Sequence, residues 1–411
     1  MSTPPRNGFR VRRCHSDGTR AVTLLIAYDA GTRSERPEEN GIAHFLEHLV
    51  FKGGESYPTH RDVNTAADRL GARLNAQTSH ELVAFFIRVR AERAAEAADL
   101  LTDMVGRPRL DADELDRERG VVFQEIARNE DQPRSRVWDL SGPAAFGDHP
   151  LGWRVLGTEE SLAGIGPDQV RHFRERRWSA SRACALIVGN GAGLSDAEFA
   201  PFLDRLADAP EPPVPQPPPA FDPRVLVDER DSSQSHLVLT WRPDLDVGDP
   251  RIRAAFSVYA MLLGGSMGSR LVTEIREERG WAYSVRAEAD ALSDAAALYV
   301  SAGLDSTRAI DATHRAVEIV DQLAAGGPSD DEFDRARSAA AGRRALALEN
   351  TTTAAIHLAE ELLLHGHETD LTEAVESLDA VQLDDVAAVA AATAGAPAIA
   401  CVGPHAAEDF A

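Results

Sequence analysis

Two histidines and a glutamate lie within five residues of one another in the segment HFLEH at 44–48. On a helix, the neighbouring apolar residues form the stripe of an amphipathic helix, and His44, Glu47 and His48 gather on the opposite side. Two imidazoles one turn apart can bind one metal ion, and Glu47 could deprotonate a water molecule on it. The alternative is a solvated polar face. A metal site is favoured, because H-x-x-E-H arises by chance in roughly one chain in a hundred of this length.

A catalytic zinc site needs a third protein ligand besides the two histidines. The segment ERGVVFQEIARNE contains two candidates, Glu118 and Glu125, which are two helical turns apart and share a face. Glu125 stands among apolar residues. Because carboxylates on helices are usually solvated, these residues alone leave Glu125 as one candidate among several.

The chain divides at a proline-rich segment, DAPEPPVPQPPPAFDP at 208–223, which can form neither a helix nor a central strand. The segment DELDRER at 113–119 matches DEFDRAR at 331–337, and each follows a helical pattern. Each half also ends in an apolar strand followed by glycine, ACALIVGNG and AIACVGP. We therefore predict two tandem copies of one unit. The predicted division is a first domain at 1–210, a linker at 211–223 and a second domain at 224–411.

The patterns in the first copy predict strands as well as long helices. Strands are expected at 21–28 and 81–90, and helices from about 41, near 91–105 and near 112–130. Regular βαβ alternation is missing. This favours an α+β fold, with helices packed on one face of a largely antiparallel sheet.

The composition narrows the classes of partner and the compartment. The 411 residues are 43% hydrophobic, which is typical of a soluble globular protein, and the formal net charge is −23. Such a charge argues against nucleic acid and against an anionic membrane surface. The three cysteines, Cys14, Cys184 and Cys401, form no disulfide framework. With no secretory signal and no apolar run long enough to span a bilayer, we expect a cytoplasmic protein.

Taken together, these segments resemble the pitrilysin-type zinc peptidases, or inverzincins, which include the mitochondrial processing peptidase and insulin-degrading enzyme. The likeness extends over nearly the whole chain. Within the family, the chain resembles the two-domain bacterial members and the β subunit of the mitochondrial processing peptidase. It rests on several segments in the same order: DAGTRSERPEENGIAHFLEHLVFKGG, LNAQTSHE, ERGVVFQEI, HPLGWRVLGTEESL and GGSMGSRLVTEIREERGWAYSV.

The resemblance implies a role for each matching position. His44 and His48 match two zinc ligands, Glu125 matches the third, and Glu47 matches the general base. Glu118 matches an acid that orients a histidine ligand. The expected cofactor is one Zn²⁺ per chain.

Four further residues match the substrate side of the family. Asn75 and Ala76 match the edge strand against which a peptide lies as an added strand. Arg276 and Tyr283 match a pair that reaches the scissile carbonyl and stabilises its oxyanion. After LNAQTSHE this chain continues with LVAFFI, where the family usually has threonine and tyrosine, so the substrate-side surface departs from the pattern.

The second copy lacks the metal motif. At the offset of 218 that relates the two copies, Glu118 corresponds to Ala336 and Glu125 to Arg343, and the histidine positions fall within LLGGS. The resemblance accordingly implies one catalytic domain and one duplicate that completes half of a clamshell chamber.

The implied function is a zinc-dependent endopeptidase that cleaves peptides or unfolded segments inside an enclosed chamber. The alternative is a non-catalytic or partner subunit of a heterodimeric peptidase of the same family. The chain contains all four residues of the zinc motif, His44, Glu47, His48 and Glu125, which favours an active enzyme over a non-catalytic subunit. With only two of the four units that close a chamber, the chain is expected to form a homodimer, and a heterodimer with a related subunit stays open. The sequence does not indicate which peptide is the substrate.

Overall fold

The computed structural model describes residues 10–16, 18–191, 194–206 and 215–410. The chain forms two compact units, each assembled from three segments. The first unit comprises Met1–Ile126, Arg154–Pro215 and Leu346–Leu371, and the second comprises Ala127–Trp153, Gln216–Ala345 and Thr372–Ala411. The predicted division was 1–210 and 224–411. Residues 127–153, predicted in the first domain, belong to the second unit, and residues 346–371, predicted in the second domain, belong to the first unit. Residues 211–214 of the predicted linker lie outside the described chain.

Each unit is built on a mixed five-stranded sheet. The first contains β1 (Arg10–His15), β2 (Ala21–Tyr28), β3 (Arg73–Thr78), β4 (Val83–Arg90) and β5 (Ala183–Gly189), in the spatial order β1-β5-β2-β4-β3. The second contains β6 (Val225–Glu229), β7 (Gln234–Trp241), β8 (Ala282–Ala291), β9 (Ala296–Asp305) and β10 (Ala398–Gly403), in the order β6-β10-β7-β9-β8. Among the strands of the described residues, β1 pairs in parallel with β5 and β6 with β10, and the other pairs are antiparallel. The identical order confirms the predicted duplication and the largely antiparallel sheets.

The helices complete the α+β units. In chain order they are α1 (Ile42–Val50), α2 (His60–Leu70), α3 (Ala94–Gly106), α4 (Ala112–Asp131), α5 (Pro133–Phe146), α6 (Glu159–Ala163), α7 (Pro167–Arg177), α8 (Asp196–Leu203), α9 (Pro250–Ala260), α10 (Ala309–Gly326), α11 (Asp330–Leu348), α12 (Thr351–Leu364), α13 (Glu373–Asp379) and α14 (Leu383–Ala392). Two π-helical segments, Met261–Gly265 and Val272–Glu278, lie in the second unit. The strand at 21–28 is confirmed to the residue, and the predicted helices appear as α1, α3 and α4.

The main helical layer covers one face of each sheet, as expected, and the other face also carries a helix. In the first unit, α12 packs on β2 and β5. These strands read AVTLLIAY and ACALIVG, apolar on both faces, so each face needs a cover. The one hydroxyl on the covered face, Thr23 Oγ1, is 2.8 Å from Thr351 Oγ1. In the second unit, α5 packs on β7 and β10 in the same way.

Among the helices of the described residues, none has the length and apolar character that crossing a membrane requires.

Candidate metal centre

Three of the predicted site residues stand on α1. Its apolar side, formed by Ile42, Phe45, Leu46, Leu49 and Val50, is completely buried in the core of the first unit. This burial fixes the rotation of the helix about its axis. His44, Glu47 and His48 are consequently held on the opposite, half-buried side.

The buried carboxyl group of Glu35 fixes the start of α1. Glu35 accepts hydrogen bonds from the backbone N–H of Gly41 at 2.9 Å and of Ala43 at 2.8 Å, and from the side-chain amide of Asn40 at 3.0 Å. These amide groups would otherwise lack partners at a helix N-terminus. Burial raises the pKa of Glu35 to about 8, although its three donors act in the opposite direction.

Glu125, on α4, meets the two histidines. Its Oε2 lies 3.9 Å from Nε2 of His44 and 3.7 Å from Nε2 of His48. One potential ligand atom from each of the three residues falls within 4.8 Å of the others. Tetrahedral zinc with bonds of about 2.1 Å separates its ligand atoms by about 3.4 Å, so small side-chain adjustments suffice. The predicted ligand set is therefore brought together in space.

The protonation of His44 suits a metal ligand. Burial, with a smaller effect of the neighbouring His48, lowers the pKa of His44 to about 4. The imidazole is thus neutral at neutral pH, which is the form that binds a metal ion. Its Nδ1 is buried and has no hydrogen-bond partner among the described residues. Two imidazoles and one carboxylate are a donor set typical of catalytic zinc, so the residues fit the metal.

Glu118 lies behind His48, as the resemblance implied. Its Oε2 is 3.2 Å from His48 Nδ1, and its Oε1 is 2.5 Å from Nζ of Lys52. Burial acts to raise the pKa of Glu118, but the hydrogen bonds from His48 and Lys52 outweigh it and lower the pKa. The ionised carboxylate can hold the proton of His48 on Nδ1 and leave Nε2 free for a metal. Lys52 was missed by the sequence reasoning, although it stands four residues after His48.

Glu47 is held by a residue that the sequence reasoning also missed. The hydroxyl of Thr78 donates to Oε2 of Glu47 at 2.5 Å. Burial raises the pKa of Glu47, against the effect of this hydrogen bond. A carboxylate with a raised pKa is a stronger base for a water proton. The signal for Thr78 was its place in LNAQTSHE, two residues after Ala76.

Asn75 and Ala76 lie where an added strand could pair. They belong to β3, the outermost strand of the first sheet, and pair with Phe86 and Phe85 of β4. The other edge of β3 has no strand partner among the described residues. Asn75 is exposed, whereas Ala76 packs on the core.

Arg276 and Tyr283 belong to the second unit. Arg276 lies in the π-helical segment Val272–Glu278, with Nη1 3.8 Å from Sδ of Met267. Tyr283 stands near the start of β8, the outermost strand of the second sheet, and is 83% exposed. Both side chains are accessible to a ligand.

The duplicated position in the second unit holds no comparable group. Arg343 stands at the position that corresponds to Glu125, and its Nη2 donates to the backbone carbonyl of Gly265 at 2.6 Å. Within the described part of the chain, His44, His48 and Glu125 form the one group of three such residues placed closely enough to hold a metal ion.

Two family models match successive parts of the chain. Residues 10–159 match the model of the insulinase (peptidase M16) family, and residues 164–340 match that of the peptidase M16 inactive domain. The chain is 32% identical to the uncharacterized zinc protease YmxG of Bacillus subtilis, over 93% of this chain and 92% of that protein. It is 31% identical to the uncharacterized zinc protease SCO5738 of Streptomyces coelicolor, over 97% and 88%.

Solved structures share the whole fold. A structure from Pseudomonas fluorescens, described as a peptidase M16 inactive domain, superposes with a TM-score of 0.88 at 19% identity, covering 99% of this chain and 98% of that one. A protease from Helicobacter pylori gives a TM-score of 0.85 at 20% identity, covering 98% and 99%. The chain belongs to the M16 (insulinase) peptidase family, which includes the pitrilysin-type enzymes it was found to resemble. Its relatives are named as zinc proteases.

Proposed function

We propose that this chain is a zinc-dependent endopeptidase that holds one Zn²⁺ and cleaves peptides or unfolded segments. The observation that carries the proposal is the convergence of His44, His48 and Glu125. Glu47 stands beside the two histidines on α1. Zinc, when bound by these three residues, supplies a Lewis acid that polarises a carbonyl and lowers the pKa of water.

The residues of the chain perform the remaining steps. A peptide adds to the free edge of β3 beside Asn75 and Ala76, where main-chain hydrogen bonds seat it with little dependence on its sequence. Glu47 takes the proton of the attacking water and passes it to the departing amine. Glu118, held by Lys52, keeps His48 in the tautomer whose Nε2 faces the ligand cluster.

We further propose a homodimer in which two chains enclose a chamber. Arg276 and Tyr283 of one chain would then serve the metal centre of the other and stabilise the oxyanion of the cleaved bond. The exposure of Tyr283 and its position at a sheet edge support an intermolecular role. A heterodimer with a related subunit is the alternative. The three free cysteines support a reducing compartment such as the cytoplasm.

The competing function is that of a non-catalytic subunit. Such a chain has no need of a base, yet Glu47 is present and is held by Thr78. This observation favours the enzyme.

Metal content and turnover together test the proposal. The purified protein should contain about one zinc per chain and lose peptidase activity to a chelator. Glu47→Gln should keep the zinc and abolish turnover, because the base is removed while the ligands stay. His48→Ala and Glu125→Ala should lose both. Asp116→Asn, an exposed carboxylate on α4, is the matched control and should lose neither. An active Glu47→Gln protein, free of contaminating protease, would show that the base is wrongly identified.

A further inference from the structure

We infer that Thr78 is a positioning residue for the base: it ties Glu47 to the strand that seats the substrate. The inference rests on the proposed function, because it concerns how Glu47 is aimed at the attacking water. Thr78 acts through Glu47, to whose carboxylate it donates a hydrogen bond.

The geometry gives Thr78 a single task. It is the last residue of β3 and pairs with Val83 of β4. Side chains alternate along a strand, so Thr78 faces the same side as Leu74 and Ala76, which pack on the core beside α1. From there its hydroxyl donates to Oε2 of Glu47 at 2.5 Å. The other carboxylate oxygen, Oε1, remains available to take a proton.

The turn that follows β3 is held by hydrogen bonds and an ion pair to the segment before α1. The backbone N–H groups of Gly31 and Arg33 donate to the carbonyls of Glu81 at 2.9 Å and of His80 at 2.6 Å. The guanidinium of Arg33 also pairs with the Glu81 carboxylate at 2.7 Å, and both side chains are almost fully buried. Gly31 allows this close approach, since a Cβ there would lie 2.5 Å from the backbone of the turn. Thr78 thus stands between its ladder pairing with Val83 and a turn that is anchored to the segment before α1.

One element thus performs two tasks. The free edge of β3 receives the peptide main chain, and the same strand holds the carboxylate that must face the attacking water. A free glutamate side chain on α1 would sample several rotamers and lose this alignment. Fixing it in advance favours the transition state without changing how tightly the peptide binds. Loss of the hydroxyl should consequently lower kcat and leave KM almost unchanged.

The test compares Thr78→Val with Thr78→Ser in the zinc-loaded protein, using a fluorogenic peptide. Valine has the shape of threonine and suits a strand, so folding should be retained. We expect Thr78→Val to lower kcat by about 10- to 100-fold, with KM within about twofold and the zinc content unchanged. Thr78→Ser, which keeps the hydroxyl, should retain most of the wild-type kcat. Thr23→Val removes a hydroxyl bond on the opposite face of the same sheet and should leave kcat unchanged.

Three outcomes would overturn the inference: wild-type kcat in Thr78→Val, loss of zinc in parallel with kcat, or a Thr78→Ser protein as impaired as the valine variant. If the wild-type protein cleaves no peptide, the proposed function fails. The positioning of Glu47 by Thr78 is then tested by crystal structures of the wild type and of Thr78→Val. Glu47 should then bond to Thr78 in the wild type and leave that position in Thr78→Val. An identical Glu47 conformation in both proteins would overturn it.

Discussion

Nδ1 of His48 lies 3.2 Å from Oε2 of Glu118, on the opposite side of the ring from the Nε2 that faces Glu125. The imidazole is thus held between a carboxylate that can orient it and a carboxylate that can share a metal ion with it. Glu118 is buried, and hydrogen bonds from His48 and Lys52 lower its pKa and keep it ionised. From this relationship we expect Glu118 to affect the affinity for the proposed metal ion without being a ligand itself.

Glu118→Gln should weaken zinc binding by about 10- to 100-fold while all three ligands remain. The neutral amide is a poorer acceptor for the His48 N–H and no longer attracts Lys52. Competition with a zinc-chelating indicator measures the affinity directly, without relying on activity. Asp116→Asn, on the exposed side of the same helix, serves as the control. Unchanged affinity in Glu118→Gln would remove Glu118 from the metal centre.

Glu35 should make the protein less stable as the pH rises. Its pKa in the folded state is about 8, against an ordinary value of 4.5. Between these values the folded protein keeps a proton that the unfolded chain has released, so the free energy of unfolding falls with increasing pH. The contribution is fully present below pH 4.5, is lost through pH 8, and has a maximum slope of about 1.4 kcal/mol per pH unit.

Urea unfolding at several pH values between 5 and 8 tests this dependence. Glu35→Gln has no titrating group at this position, so its stability should vary less with pH than that of the wild type. Glu38→Gln alters an exposed carboxylate close by and should follow the wild type. Parallel pH profiles for wild type and Glu35→Gln would show that Glu35 is ionised in both states.

The cysteines should be dispensable for zinc binding and turnover. Cys184 and Cys401 are completely buried, and burial raises the pKa of each thiol to about 12, so neither offers a thiolate at neutral pH. Replacing Cys14, Cys184 and Cys401 together by alanine should lower stability by about 1–3 kcal/mol through lost packing. Zinc per folded chain, measured by elemental analysis, should not change. Loss of zinc in Cys184→Ala at unchanged fold would show that the ligand set is wrong.

Complementation should reveal whether two chains share a site. A chain with Glu47→Gln and a chain with Tyr283→Phe should each be nearly inactive alone. Random exchange places half of the chains in mixed dimers, each with one complete site, so activity should return to about a quarter of the wild-type level. Mixing Glu47→Gln with the double variant Glu47→Gln/Tyr283→Phe should restore nothing. No recovery despite verified subunit exchange, or an active monomer, would contradict the proposed dimer.

Local patterns determined much of this protein. Apolar spacing was enough to predict β2, α1 and α4, since short-range periodicity decides which face of an element is buried. The repeated segments at 113–119 and 331–337 revealed the duplication that both sheets display. Two histidines and a glutamate on one helix face already indicated a metal site.

The contacts that assemble the candidate site depend on packing between elements that are distant in the chain. Spacing left Glu125 as one candidate among several, and its role came only from resemblance, whereas the fold brings its carboxylate to the two histidines. The bonds of Lys52 to Glu118 and of Thr78 to Glu47, and the cover that α12 gives to the first sheet, join residues far apart in sequence. No local period encodes such pairs, because they depend on the rotation and register at which whole helices and strands pack. Only the tertiary structure therefore showed that Lys52 and Thr78 support the proposed metal ligands and the proposed base.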